Sequence, residues 1–138
     1  MSQPPAQDDA LTINVTDTHE EPGQENDPGE GLVVETTRGD IHCLIHPSAR
    51  PTELGIVWVV GARGGFRGPA DGRIYAPLAQ ELSEAGIASL RPSYRQPNRL
   101  QECVLDTLAV VSLLQQGLGI RRVAVVGHSF GGAVAITA

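Results

Sequence analysis

The most informative segment of this 138-residue chain is Val125-Val126-Gly127-His128-Ser129-Phe130-Gly131-Gly132. A buried-type strand leads into a G-x-S-x-G turn, and small residues follow, as expected where a helix begins. The turn predicts a positive φ at Ser129, and it needs Gly127 and Gly131 because strand and helix pass close together there. The Ser129 hydroxyl would then project at the positive end of a helix dipole. A nucleophile that attacks a carbonyl carbon is expected in this place.

The sequence before the turn alternates between strand and helix patterns. Apolar, β-rich runs predict strands at 31–37, 40–46, 54–60, 87–90 and 122–126, with a hairpin at Arg38-Gly39 and a break at Arg91-Pro92. Apolar residues at helical spacing predict two helices, one with the stripe Ile74, Leu78, Leu82 and one with Leu100, Val104, Leu108, Val111. The pattern indicates an α/β fold, a mostly parallel sheet with flanking helices, with Ser129 at the carboxyl edge of the parallel strands.

The first thirty residues differ from the rest in composition. They contain no Arg or Lys, several prolines, and eight acidic side chains: Asp8, Asp9, Asp17, Glu20, Glu21, Glu25, Asp27 and Glu30. Such a segment buries too little apolar surface to offset its ordering entropy. Residues 1–30 are therefore predicted to be a disordered acidic tail, and residues 31–138 to be the folded domain.

Composition also excludes several classes of function. No basic stripe with stacking aromatics is present, so we expect no nucleic-acid partner. There is neither a secretory signal nor an apolar run long enough to span a bilayer, so a soluble cytoplasmic protein with no membrane partner is predicted. Cys43 and Cys103 lack metal-binding spacing and are predicted to be reduced, buried thiols. His42 and His46 lie too far apart along one strand for a metal, so neither a metal nor another cofactor is expected.

We call the turn around Ser129, with Gly127, His128 and Gly131, the nucleophile elbow, or elbow. In this elbow and in the strands before it, the chain resembles the α/β-hydrolase family over residues 31–138. Gly-His-Ser-Phe-Gly-Gly is similar to elbows in its esterases, thioesterases and dienelactone-hydrolase-like members. The resemblance implies an incomplete α/β-hydrolase fold, the N-terminal portion only. It also implies that the backbone N–H groups of Phe130 and Arg63 form an oxyanion hole, with Ala62 as the alternative to Arg63 because Gly61-Ala62-Arg63 replaces the usual His-Gly-x. A further departure is Ser93, where many members have a structural Asp.

The rest of a catalytic triad is not found in the sequence. Sites of this kind take their acid and histidine from the chain after the serine, and no Asp, Glu or His follows Ser129. His128 is adjacent to Ser129 and cannot turn its ring onto that hydroxyl, and it is expected to pack against nearby loops. Asp106 lies inside a predicted helix that faces away from the elbow, so it is not a candidate acid.

These patterns lead to one main hypothesis and three alternatives. The main hypothesis is a serine hydrolase that cleaves a small-molecule ester or thioester through an acyl-enzyme on Ser129, with Asp and His in missing C-terminal chain. The 138-residue chain alone is then expected to be nearly inactive. The alternatives are an acyltransferase, an acyl-carrier thioesterase, and a non-catalytic or inactive hydrolase fragment. Arginines near the oxyanion loop and the following strand raise the further possibility of an anionic substrate: Arg63, Arg67, Arg73, Arg91, Arg95 and Arg99.

Overall fold

The secondary structure follows the predicted alternation closely. A computed structural model describes residues 12–138. Its strands are β1 Val15–Glu21, β2 Glu30–Thr36, β3 Gly39–His46, β4 Leu54–Val59, β5 Ala88–Ser93 and β6 Arg122–Gly127. Its helices are α1 Tyr75–Glu84, α2 Leu100–Ser112 and α3 Phe130–Thr137, with a 3-10 turn at Pro69–Gly72 and a π-helical turn at Leu113–Gly117 that extends α2. The α/β class predicted from the sequence is confirmed.

The strands form one mixed sheet in the order β1-β2-β3-β5-β4-β6. The pairs β4–β5 and β4–β6 are parallel, whereas β1–β2, β2–β3 and β3–β5 are antiparallel. The hairpin predicted at Arg38-Gly39 joins β2 to β3. The carboxyl ends of β4 and β6 lie side by side, because Val59 is the cross-strand partner of Gly127. The loops after these two strands therefore meet at one edge of the sheet.

The described part of the acidic N-terminal segment is ordered, which differs from the disorder predicted for residues 1–30. Residues Val15–Glu21 form β1 and pair with β2 along their length, with a bulge between Val15 and Asp17. Ile13 and Val15 pack against the core. Backbone pairing and these apolar contacts order a segment whose exposed side chains are mostly acidic. Residues 1–11 lie outside the described residues.

Strand β5 continues through a proline, which corrects the predicted break at Arg91-Pro92. Pro92 is the antiparallel partner of Cys43 on β3, whereas the pairing of β5 with β4 extends only from Ala88 to Leu90. A proline lacks the N–H that a second neighbouring strand would need. Since β5 has left β4 by this point, the missing donor interrupts no paired ladder on that side.

The two helix stripes predicted from spacing lie on the buried faces only in part. Leu82 of α1 and Val104 and Val111 of α2 pack against the core, whereas the other stripe residues are exposed. In α1 the buried residues are Tyr75, Ala76, Ala79 and Ser83, while Ile74 and Leu78 are about two-fifths exposed at 39% and 40%. Helix α2 buries Cys103, Leu105, Asp106, Thr107, Ala109 and Val110, and it leaves Leu100 and Leu108 exposed. Small residues at the contact let the helices approach the sheet closely, so the larger leucines fall at the margin.

The core lies between the sheet and the helices. Its buried residues include Val57, Val59, Leu90, Val110 and Leu114. Helix α1 lies against the face that carries Trp58, whose ring is 5.1 Å from that of Tyr75 and whose Nε1 donates to Ser89. Within residues 12–138, no helix is both long and apolar enough to cross a membrane.

Candidate active site

Ser129 has the backbone conformation predicted for the tip of the turn. It is the residue between β6 and α3, and its φ is 58° and its ψ −122°. A residue with a Cβ rarely adopts this conformation, which costs about 1–3 kcal/mol and persists only where the surroundings enforce it. The predicted positive φ is therefore confirmed, and the serine is exposed at the carboxyl edge of the sheet.

The flanking glycines are required by the close approach of strand and helix. A Cβ added at Gly127 would overlap the carbonyl oxygen of Gly131, and one added at Gly131 would lie 2.6 Å from the Val59 oxygen and 2.8 Å from the Val60 oxygen. The first turn of α3 is thus pressed onto the ends of β6 and β4. Any larger residue at either position would push the helix, and Ser129 with it, away from the sheet.

The N-terminus of α3 presents a backbone donor beside the serine. The N–H of Gly131 donates to the His128 oxygen at 3.0 Å, and the N–H of Gly132 to the Ser129 oxygen at 2.9 Å. The N–H of Phe130 has no acceptor among residues 12–138. Unpaired N–H groups at a helix N-terminus attract negative charge. This is the geometry that an oxyanion-hole donor at Phe130 needs.

Two tyrosines hold the start of the loop that follows β4. We call residues 61–72, which carry the candidate donors Ala62 and Arg63, the oxyanion loop. The Tyr75 hydroxyl donates to the Val59 oxygen at 2.8 Å, and the Tyr94 hydroxyl to the Val60 oxygen at 2.6 Å. Burial raises the pKa of both phenols, so they remain protonated donors. No sequence pattern predicted either contact, since each joins residues that are distant in the chain.

Arg63, one of the two candidates for the second donor, lies in the oxyanion loop. The side chain is exposed, and a turn closed by the Gly64 N–H and the Gly61 oxygen at 3.0 Å surrounds it. Because Val59 and Gly127 are partners, the oxyanion loop and the Ser129 turn leave adjacent strands at the same edge. Both Arg63 and Ala62 remain candidates for the second donor.

Among the described residues 12–138, no histidine or acid is positioned to activate Ser129. His19 contacts Glu35 at 2.9 Å, His42 contacts Glu21 at 2.9 Å, and His46 is buried beside Gln80, so each is occupied elsewhere. His128 does not pack on loops as expected but is exposed. Within residues 12–138, the Ser129 hydroxyl has no hydrogen-bonding partner. Within the described residues, no base therefore lies beside Ser129.

Asp106 has a structural partner, in agreement with its exclusion as a triad acid. Its fully buried carboxylate accepts hydrogen bonds from the backbone N–H of Arg95 at 2.8 Å and from the Arg95 Nε. Arg95 also bonds Glu102, which in turn pairs with Arg38 at 2.8 Å. Burial still raises the pKa of Asp106 above its usual value. This cluster ties α2 to the β2–β3 turn, since Arg95 also donates to the Arg38 oxygen at 3.0 Å.

The cysteines are buried and free, as predicted. Burial raises the pKa of the Cys43 thiol strongly and that of Cys103 to about 11, so both are poor nucleophiles at neutral pH. Among residues 12–138, no three His, Cys, Asp or Glu side chains converge as metal ligands would. The two cysteines are therefore not candidate nucleophiles.

Comparison with known proteins supports the same fold. No family model and no curated protein sequence matches the chain. Among solved structures it is similar to an alpha-beta serine hydrolase homologue from Coxiella burnetii, at a TM-score of 0.62 and 18% identity over 78% of this chain and 55% of that one. It is also similar to esterase 2 from Thermogutta terrifontis, at a TM-score of 0.62 and 22% identity over 85% of this chain and 46% of that one. The α/β hydrolase GrgF from Penicillium sp. sh18 matches at a TM-score of 0.66 and 15% identity over 80% of this chain and 40% of that one.

These matches show that the chain has the fold of the α/β hydrolases. It spans about half the length of the solved structures that it matches.

Proposed function

We propose that this chain carries the nucleophile and the oxyanion hole of a serine hydrolase that acts on a carboxylic ester or thioester. The observation that carries the proposal is the strained Ser129, with φ 58°, at an exposed strand-to-helix turn beside the unpaired Phe130 N–H. Strain of this kind concentrates at functional sites because a purely structural turn can avoid it.

In the proposed reaction the Ser129 Oγ attacks the carbonyl carbon of the substrate. The N–H groups of Phe130 and Arg63 hold the negative oxygen of the tetrahedral intermediate, which collapses to an acyl-enzyme and releases the alcohol or thiol. Water then attacks the carbonyl carbon of the acyl-enzyme, and the second tetrahedral intermediate collapses to release the carboxylic acid and the free Ser129 hydroxyl. A histidine that takes the serine proton, and an acid that orients this histidine, are to come from a C-terminal continuation of the chain. The chemistry requires no cofactor.

A structural neighbour supports the choice of reaction class. Esterase 2 from Thermogutta terrifontis has been solved phosphorylated by paraoxon, and that structure matches this chain at a TM-score of 0.59 and 22% identity. We propose by analogy that Ser129 reacts with organophosphorus reagents once its base is present. The acyltransferase and acyl-carrier thioesterase alternatives use the same serine. The acyltransferase differs in the group that accepts the acyl group, and the acyl-carrier thioesterase differs in the group that donates it.

A fluorophosphonate probe tests the proposal directly. The chain with its C-terminal continuation should be labelled stoichiometrically, and Ser129→Ala should abolish labelling, whereas Ser112→Ala, on α2, should not. The 138-residue chain should be labelled slowly at most, because triad-deleted enzymes retain only about 10³–10⁴-fold catalysis over water. A continued chain that resists the probe would instead favour the non-catalytic alternative. Rapid labelling of the 138-residue chain would show that a base is already in place.

A further inference from the structure

The oxyanion loop has little backbone structure of its own. Its backbone is left-handed, with positive φ, at Gly64, Gly65, Gly68, Ala70 and Gly72. Within the loop, the Gly64 N–H donates to the Gly61 oxygen, and the Arg73 N–H closes the 3-10 turn on the Ala70 oxygen. A glycine-rich segment of this kind gains conformational entropy when it is released. Contacts from outside must therefore fix its shape.

One of these contacts comes from a buried arginine on β5. Arg91 is 1% exposed, and its Nη2 donates to the Phe66 oxygen in the middle of the loop at 2.7 Å. Its Nη1 donates to the Asp27 carboxylate at 2.8 Å and lies 3.3 Å from the His46 Nε2. Arg91 thus joins the oxyanion loop to the β1–β2 loop and to β3. Asp27 and Phe66 line a cleft of about 1300 Å³, and Arg91 lies in its wall.

The surroundings hold the Arg91 guanidinium in one orientation. The Nδ1 of His46 lies 3.1 Å from the Gln80 Oε1, so a neutral His46 donates there and accepts from Arg91 through Nε2. Burial opposes the charge on Asp27, but the hydrogen bonds from Arg91 and Gly29 outweigh it and lower the pKa of that carboxyl. The Arg91 Nε has no acceptor among residues 12–138. Burying a guanidinium that is only partly paired is costly, which argues against a role in stability alone.

We propose that Arg91 is a positioning residue for the oxyanion hole: through the Phe66 carbonyl it fixes the loop that supplies the second oxyanion donor, with Asp27 as its counter-ion. This inference rests on the proposed function, in that it assigns Arg63 or Ala62 as that donor. Oxyanion donors act because they are held in place before charge develops on the substrate. Loosening the loop would therefore lower kcat and leave KM almost unchanged.

The first test measures the loop itself and needs no activity. In Arg91→Gln, amide hydrogen exchange at residues 62–68 should accelerate by about tenfold or more, the effect of losing a charged hydrogen bond. Arg50→Gln is the matched control, because Arg50 likewise donates to a backbone carbonyl, that of Ala85 at 2.8 Å, but far from the loop. Asp27→Asn keeps the side-chain shape and should accelerate exchange at the same amides. Unchanged loop exchange in folded Arg91→Gln, or in Asp27→Asn should Arg91→Gln not fold, would overturn the proposal.

The second test uses the chain with its C-terminal continuation and a small activated ester. Arg91→Gln should reduce kcat by about tenfold or more with KM within about twofold, less than the loss of a whole oxyanion donor. Arg91→Lys should recover part of the rate, since an ammonium group keeps the charge but lacks the fork that reaches Phe66 and Asp27 together. Equal kcat in folded Arg91→Gln would refute the assignment. If the unmutated enzyme hydrolyses no ester but loop exchange responds as expected, the proposed function fails while the positioning role stands.

Discussion

Gly131 illustrates how one residue without a side chain sets the elbow. Because an added Cβ would lie 2.6 Å from the Val59 oxygen, we expect Gly131→Ala to destabilise the chain by about 1–3 kcal/mol. The neighbouring Gly132 is the matched control, since its added Cβ would approach nothing nearer than the Gly127 oxygen at 3.7 Å. Gly132→Ala should be neutral or stabilising, because alanine favours the helix. Urea denaturation of the two variants measures the change in the free energy of unfolding. Equal losses in Gly131→Ala and Gly132→Ala would show that the close approach at Gly131 does not matter for stability.

His46 makes stability depend on pH. Burial lowers its pKa below the ordinary 6.5, Arg91 lowers it further, and Gln80, Asp27 and Glu30 oppose the shift. The folded state then binds this proton less readily than the unfolded state does. The stability that neutral His46 gives the folded state is therefore complete above pH 6.5. It is lost as the pH falls from 6.5 toward the lower pKa that His46 has in the folded state.

Variants at the two β3 histidines separate this effect from general acid denaturation. His46→Gln should flatten the decline in urea midpoint between about pH 7.5 and pH 5. His42→Gln, whose side chain is exposed, should keep the decline of the unmutated chain. If the urea midpoint of His46→Gln still declines, the pH dependence comes from the carboxylates instead.

At the scale of elements, the sequence predicted what local patterns determine. The strand before Ser129 and the hairpin at Arg38-Gly39 depend on nearby residues, and both are found where expected. The buried face of α1 depends on the distance to the sheet, which spacing alone does not contain, so of the predicted stripe only Leu82 packs against the core while Ile74 and Leu78 are exposed. The contacts of Tyr75 and Tyr94 with the β4 carbonyls were not predictable either, since they join residues distant in sequence.

Strand β1 likewise depends on contacts between residues distant in sequence, and its presence changes the expected effect of an N-terminal truncation on stability. Composition suggested that residues 1–30 are dispensable, but β1 covers β2, and Asp27 pairs with the buried Arg91. Deleting residues 1–22 exposes the β2 edge and the apolar contacts of Ile13 and Val15, so the melting temperature should fall by about 5 °C or more. Deleting residues 1–11 leaves every contact described here in place and serves as the control. An unchanged melting temperature for the longer deletion would restore the view of a dispensable tail.

In the described part of the chain, the last strand of the sheet, β6, has one edge with no neighbouring strand. Within residues 12–138, β6 pairs only with β4, so the backbone groups along its other side have no strand partner. Next to it, α3 is apolar around much of its surface, and Ile136 is 89% exposed. An open edge beside an exposed apolar helix is a surface prone to pair with another chain.

We therefore expect the 138-residue chain, expressed alone, to self-associate through β6 and α3. Sedimentation velocity at rising concentration should show dimers or larger species. Ala124→Lys on β6 and Ile136→Glu on α3 should shift the population toward monomer, because charge discourages edge pairing and removes the apolar contact. Leu78→Glu is the control, since Leu78 is a partly exposed leucine at 40% on α1, away from this edge. If Leu78→Glu dissociates the species equally, association uses another surface, and a compact monomer at high concentration would show that the open edge is tolerated.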